Sequence, residues 1–122
     1  MLAAGGAGAQ QAAPPPAAAE TGKGTFLLTI FLKHDQSKSL DQINAQLRAQ
    51  GFYKAFPPPG IEVVSRYVMM GIGQVVTLRV PAEQLREVNR AIEQTAWGGY
   101  RTEFYATYDY KARGLELHEK GQ

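Results

Sequence analysis

The chain contains no cysteine. Disulfides, thiolate nucleophiles and cysteine-based metal sites are therefore excluded, while the compartment stays open, since proteins of oxidising compartments also do without cysteine. Histidine is nearly as scarce: only His34 and His118 are present, so no protein-only metal centre is expected and no cofactor is implied. An excess of one charge is missing too, with 13 Lys plus Arg against 11 Asp plus Glu and a formal net charge of +2. No stripe of basic residues with interleaved aromatics runs through the chain, which argues against nucleic acid as a partner. The longest apolar run, Phe26–Leu32, is far shorter than the roughly 20 residues that span a bilayer.

What is there begins with an unpatterned segment. Residues 1–24 are dominated by Ala, Gly, Pro and Gln and read as a disordered arm. Ala7-Gly8-Ala9 before Gln10 matches the A-x-A pattern of a signal-peptidase site, without the positive n-region and longer h-region of a complete signal. Two readings stand, a flexible arm or the remnant of a signal peptide, and a cytoplasmic or periplasmic location follows from which is right.

From Thr25 onward a unit repeats. Strand-like Thr25–Lys33 precedes Leu40, Ile43 and Leu47, and strand-like Gln74–Val80 precedes Leu85, Val88 and Ile92, both trios at helical spacing. A further strand-like run follows each, Glu62–Met70 and Arg101–Tyr110. The order β-α-β then β-α-β predicts a ferredoxin-like α+β domain over residues 25–111: a four-stranded antiparallel sheet with two helices on one face. Ser39 and Gln42 have capping-box spacing, and Gly51 suits the end of the first helix. Phe52–Gly60, with three consecutive prolines, reads as a loop whose aromatics Phe52, Tyr53 and Phe56 cover the helix end. Gly71-Ile72-Gly73 reads as a hairpin turn and Met69-Met70 as core packing. Residues 112–122 form a polar C-terminal tail in which Leu115 and Leu117 are suited to docking on a neighbour.

Strand alternation separates two faces. Phe26, Leu28, Ile30 and Leu32 form an apolar face that should meet the helices, leaving a mixed face with Thr29, Thr77, Arg79, Glu103, Tyr105 and Thr107. Arg66 joins the mixed face in one phase of its strand and leaves it in the other. Helices on a single side leave the second face uncovered, so a partner subunit is expected there and a homodimer follows.

On element order, length and this mixed face, residues 25–110 resemble the dimeric α/β-barrel superfamily of small ferredoxin-like proteins, which includes muconolactone isomerases, antibiotic-biosynthesis monooxygenases and stress-responsive barrel proteins. The segment VVTLRVPAEQLREVNRAIEQTAWGGYRTEFYATYDY is most similar to the muconolactone isomerase-like layout. The resemblance implies two sheets packed face to face and small organic ligands bound within the barrel or between sheet and helices. No catalytic motif matches residue by residue, so no functional residue is carried over.

The candidate site comes from the residues themselves. His34 ends the first strand beside Asp35 and is a candidate general base, against the plainer reading of an exposed loop histidine. Arg66 or Arg79 would hold an anion, Glu103 would pair with one of them, and Tyr105 would donate a hydrogen bond or carry a proton. Trp97, beside Gly98-Gly99, would edge a pocket. The competing reading of the mixed face is a polar network that only fixes the dimer. The function expected is binding of a small aromatic or carboxylate-bearing compound, with cofactor-free isomerase or cyclase chemistry. A non-enzymatic sensor or assembly domain and a cofactor-free monooxygenase are the alternatives.

Overall fold

The computed structural model describes residues 24–121, so the arm and its A-x-A pattern lie outside the described residues. Four strands, β1 (Thr25–His34), β2 (Glu62–Met69), β3 (Gly73–Pro81) and β4 (Tyr100–Thr107), form one antiparallel sheet in the order β2-β3-β1-β4. Helix α1 (Leu40–Ala49) and a short α2 (Phe52–Ala55) lie between β1 and β2 in the chain. Helix α3 (Leu85–Thr95) follows β3 after a 3-10 turn at Ala82–Gln84, and α4 (Lys111–Lys120) follows β4. The fold is α+β, with an open four-stranded sheet.

The local signals act as their chemistry dictates. At the start of α1 the Gln42 amide donates to Ser39 Oγ at 3.2 Å, and the Ser39 amide donates to Gln42 Oε1 at 2.8 Å. A reciprocal cap of this kind contributes about 1 kcal/mol. Gly51, at φ +78°, ends the helix where an L side chain would be strained.

The core lies between the sheet and its helices. Leu28, Ile30 and Leu32 of β1, Val76, Leu78 and Val80 of β3, Ile43 and Leu47 of α1, and Val88 and Ile92 of α3 are all buried. These are the alternate residues of each strand and the helical-period residues of each helix, so one set of spacings accounts for the core.

Four features depart from the sequence reading. Residues 52–55, expected as loop, make a helical turn that buries Phe52 and Phe56 with their rings stacked at 5.3 Å. Met69-Met70 is not core: Met70 is 93% exposed, because the pair sits where an edge strand runs out into the hairpin. The last strand stops at Thr107, short of the expected Tyr110. Residues 111–120, read as part of a polar tail, are helical, with Glu116 bridging Arg113 at 2.7 Å and Lys120 at 2.9 Å. No helix among the described residues is long and apolar enough to cross a membrane.

Candidate functional site

The face of the sheet opposite the core is laid out by register. Thr29 of β1 stands between Thr77 of β3 and Tyr105 of β4, with Ser65 of β2 beyond Thr77. One row along, Phe31 stands between Val75 and Glu103, and Tyr67 lies beyond Val75. The next row places Lys33 directly opposite Arg101. On the other side of the threonine row, Leu27 stands between Arg79 and Thr107, with Glu62 beyond Arg79.

Three hydroxyls join the strands at the centre. Thr29 Oγ1 lies 3.2 Å from Thr77 Oγ1 and 3.0 Å from Thr107 Oγ1, and Thr107 donates onward to the Leu27 carbonyl at 3.4 Å. Each hydroxyl has a single proton, so the direction follows: Thr77 donates to Thr29, Thr29 to Thr107, and Thr107 to the backbone.

Beside this row, Glu103 is held from two sides. Lys33 Nζ donates to its Oε2 at 2.8 Å, and the Tyr105 hydroxyl donates to its Oε1 at 3.0 Å. The Lys33 contact, then the Tyr105 contact, hold the Glu103 carboxyl below the usual carboxylate range. Donation to Glu103 raises Tyr105 in turn. The phenol therefore keeps its proton at neutral pH and acts as a hydrogen-bond donor, not as a base. Phe31 sets the Tyr105 ring by an edge contact with centroids 5.7 Å apart.

The Glu103 arrangement carries a pH consequence. A carboxylate whose acidity is increased on folding contributes stability above its ordinary titration range and loses it as pH falls through the lowered folded value. We expect the melting temperature of Glu103→Gln to fall less than that of the unaltered protein when both are scanned from pH 6 to about pH 3. A parallel fall in the two would assign the acid sensitivity to other groups.

His34 sits at the end of β1, facing the core side. Its ring stacks on Tyr100, centroids 5.7 Å apart and planes 13° from parallel, and its amide donates to the Ile72 carbonyl at 2.7 Å. Asp35 does not orient it: that carboxylate accepts from the Ser37 amide at 3.0 Å and the Ser37 hydroxyl at 2.7 Å. The side-chain contact, then the amide, hold Asp35 below its ordinary range. Burial pushes the Tyr100 phenol up. His34, Lys33, Arg101 and Glu103 nevertheless line one open cleft of about 510 Å³, with Ser37 and Ile72 on its walls.

The six residues picked from sequence thus divide into separate places. Glu103 and Tyr105 meet on the uncovered face, and His34 shares the cleft with Glu103. Arg79 is on that face but pairs with Glu62 at 3.1 Å, beyond Leu27. Arg66 is on the core side, opposite Val76, with its guanidinium 5.6 Å from the Phe56 ring centre and its Nε donating to Gln74. The register shift between Val63 and Ser65 put it there, since one extra residue in β2 reverses the alternation beyond it. Trp97 is half exposed and donates to Thr102, whose register partner is the buried Leu32, so it too belongs to the core side. Lys33 and Arg101 were missed as site residues. Alternation alone places them on the mixed face, but only the pairing of β1 with β4 sets them opposite one another.

These features define a small α+β domain with one packed and one uncovered sheet face, the uncovered one centred on hydroxyls and bounded by ion pairs. No protein-family model, curated protein or solved structure matches the chain.

Proposed function

We propose that the chain is a ferredoxin-like protein that pairs with a second copy of itself through the uncovered face, as a dimeric α/β barrel, and binds a small aromatic or carboxylate-bearing molecule. The element order and the sheet order β2-β3-β1-β4 support the fold reading. A second copy suits the face because two of its cations are already paired within each chain, Lys33 by Glu103 and Arg79 by Glu62, and its central hydroxyls are linked to one another. Four strands at about 4.8 Å, each near eight residues long, present roughly 19 by 26 Å. That projected area, roughly 500 Å², is somewhat more than half the ~800 Å² per partner of a standard interface.

The observation that carries the ligand reading is the cleft shared by His34 and Glu103. In isomerase or cyclase chemistry without a cofactor, His34 moves a proton, and the Tyr105 phenol, whose single proton goes to Glu103, donates to a ligand only when that bond is released. Native mass spectrometry tests both parts. A dimer carrying a reproducible added mass is the expected result, and a monomer overturns the barrel. Thr29→Glu, which sets a charge at the centre of the face in both copies, is expected to weaken the dimer by about a hundredfold or more while the circular dichroism spectrum is kept. Unchanged dimerisation would place the interface elsewhere.

One observation favours a second reading, a non-enzymatic assembly module. The hydroxyl row runs donor to acceptor into the backbone and each ion pair closes on itself, so the polar groups at the centre of the face are satisfied without a ligand. That reading predicts a clean dimer with no added mass.

A further inference from the structure

The uncovered face ends in two cations side by side. Lys33 and Arg101 are direct cross-strand neighbours. Like charges so placed repel, and a counter-charge relieves the repulsion. Lys33 has its counter-ion in Glu103 at 2.8 Å. The Arg101 guanidinium makes no hydrogen bond or ion pair among the described residues, and its pull on Asp35 acts only through space. Both carboxylates of the cleft are engaged, Asp35 by Ser37 and Glu103 by Lys33 and Tyr105. The formal charges of the cleft balance, Lys33 and Arg101 against Asp35 and Glu103, but the guanidinium donors of Arg101 are unused among the described residues.

We infer that the cleft at the end of β1 and β4 binds a monocarboxylate, with Arg101 as its anchor. The assignment names the ligand class for the small-molecule reading above and rests on it. A guanidinium presents two parallel N–H groups that match the two oxygens of a carboxylate. The carboxylates of Asp35 and Glu103 on the same walls limit how much negative charge the cleft accepts, which favours a monoanion over a phosphate dianion. Ile72, 45% exposed on the cleft wall, offers an apolar contact for the body of the ligand. His34 contributes to the same cleft wall although its ring stacks on Tyr100, while Ser37 adds a hydroxyl already tied to Asp35.

The test is an amide-resolved NMR titration of the full chain with benzoate. Shifts are expected at Lys33, His34, Asp35, Ile72 and Arg101. Arg101→Gln is expected to weaken binding by about tenfold or more, the range of a lost charge-assisted contact. Arg86→Gln, on exposed helix surface, is expected to leave binding unchanged. Equal affinity in Arg101→Gln, or inorganic phosphate binding more tightly than benzoate, overturns the assignment. Shifts clustered on Thr29, Thr77 and Thr107 would also overturn it while sparing the small-molecule reading. Absence of any shift overturns the cleft site alone, since the added mass on the native dimer is measured separately.

Discussion

Phe52→Ala is expected to destabilise the domain by about 3–5 kcal/mol, the range for removing a buried aromatic ring. The ring is fully buried and sits at a junction of the fold. It stacks on Phe56 at 5.3 Å, meets Tyr53 at 5.6 Å and Tyr100 at 5.7 Å edge-on, and lies 6.0 Å below the Arg66 guanidinium. Through Tyr100 it also supports the ring on which His34 stacks. A domain of this size holds roughly 5–15 kcal/mol in total, so the variant should melt at least about 12 °C lower or fail to fold at 37 °C. Thermal unfolding followed by circular dichroism checks this, with Tyr53→Ala, 48% exposed, as the milder comparison. A loss below about 1 kcal/mol would mean that the ring is not part of the core.

Gly73→Ala is expected to cost about 3 kcal/mol or more, for a reason unrelated to apolar burial. Gly73 opens β3 at φ +150° and pairs with Lys33 of β1 on one side and Met69 of β2 on the other. A methyl group there would land on the Leu32 carbonyl oxygen, which is backbone at the centre of the sheet and has no rotamer by which to yield. Gly71→Ala separates this clash from conformational strain. Gly71 is also at positive φ, +76°, but a methyl group there meets nothing within 4 Å, so only the left-handed penalty of about 1–2 kcal/mol applies. Equal losses in chemical denaturation would show that conformation, not contact, sets the requirement at Gly73.

Strand and helix positions were legible because each rests on a short repeat. Leu28, Ile30 and Leu32 recur at every second residue, and Ile43 with Leu47, or Val88 with Ile92, at one helical turn; all of these are buried. The cap at Ser39 and the stop at Gly51 were equally readable, since each is a matter of a few adjacent residues. Residues 52–55 and 111–120 were not. The first contains no full period, and the second is polar, with Gly114 inside it and its Leu residues partly or largely exposed.

The candidate site was half legible for the same physical reason. Alternation brought Glu103, Tyr105, Thr29, Thr77 and Thr107 to one face, and the hydrogen bonds among them follow from that. Arg66 escaped because a register shift in β2 cannot be seen in a single strand's pattern. His34 was linked to Asp35 by adjacency, yet neighbouring residues at a strand end point apart, and Ser37 two residues on offers the carboxylate a closer donor.

By itself, then, the sequence determined the α+β class, the order of the strands along the chain and the division of β1, β3 and β4 into an apolar and a mixed side. Those properties depend on interactions within a few residues. Only the tertiary structure decided that Lys33 answers Glu103 while Arg101 has no partner among the described residues, that Phe52 is core, and that Trp97 and Arg66 stand behind the sheet. Register between strands distant in the chain sets these, and local patterning is blind to it because alternation specifies which face a residue takes and not which residue it will meet there.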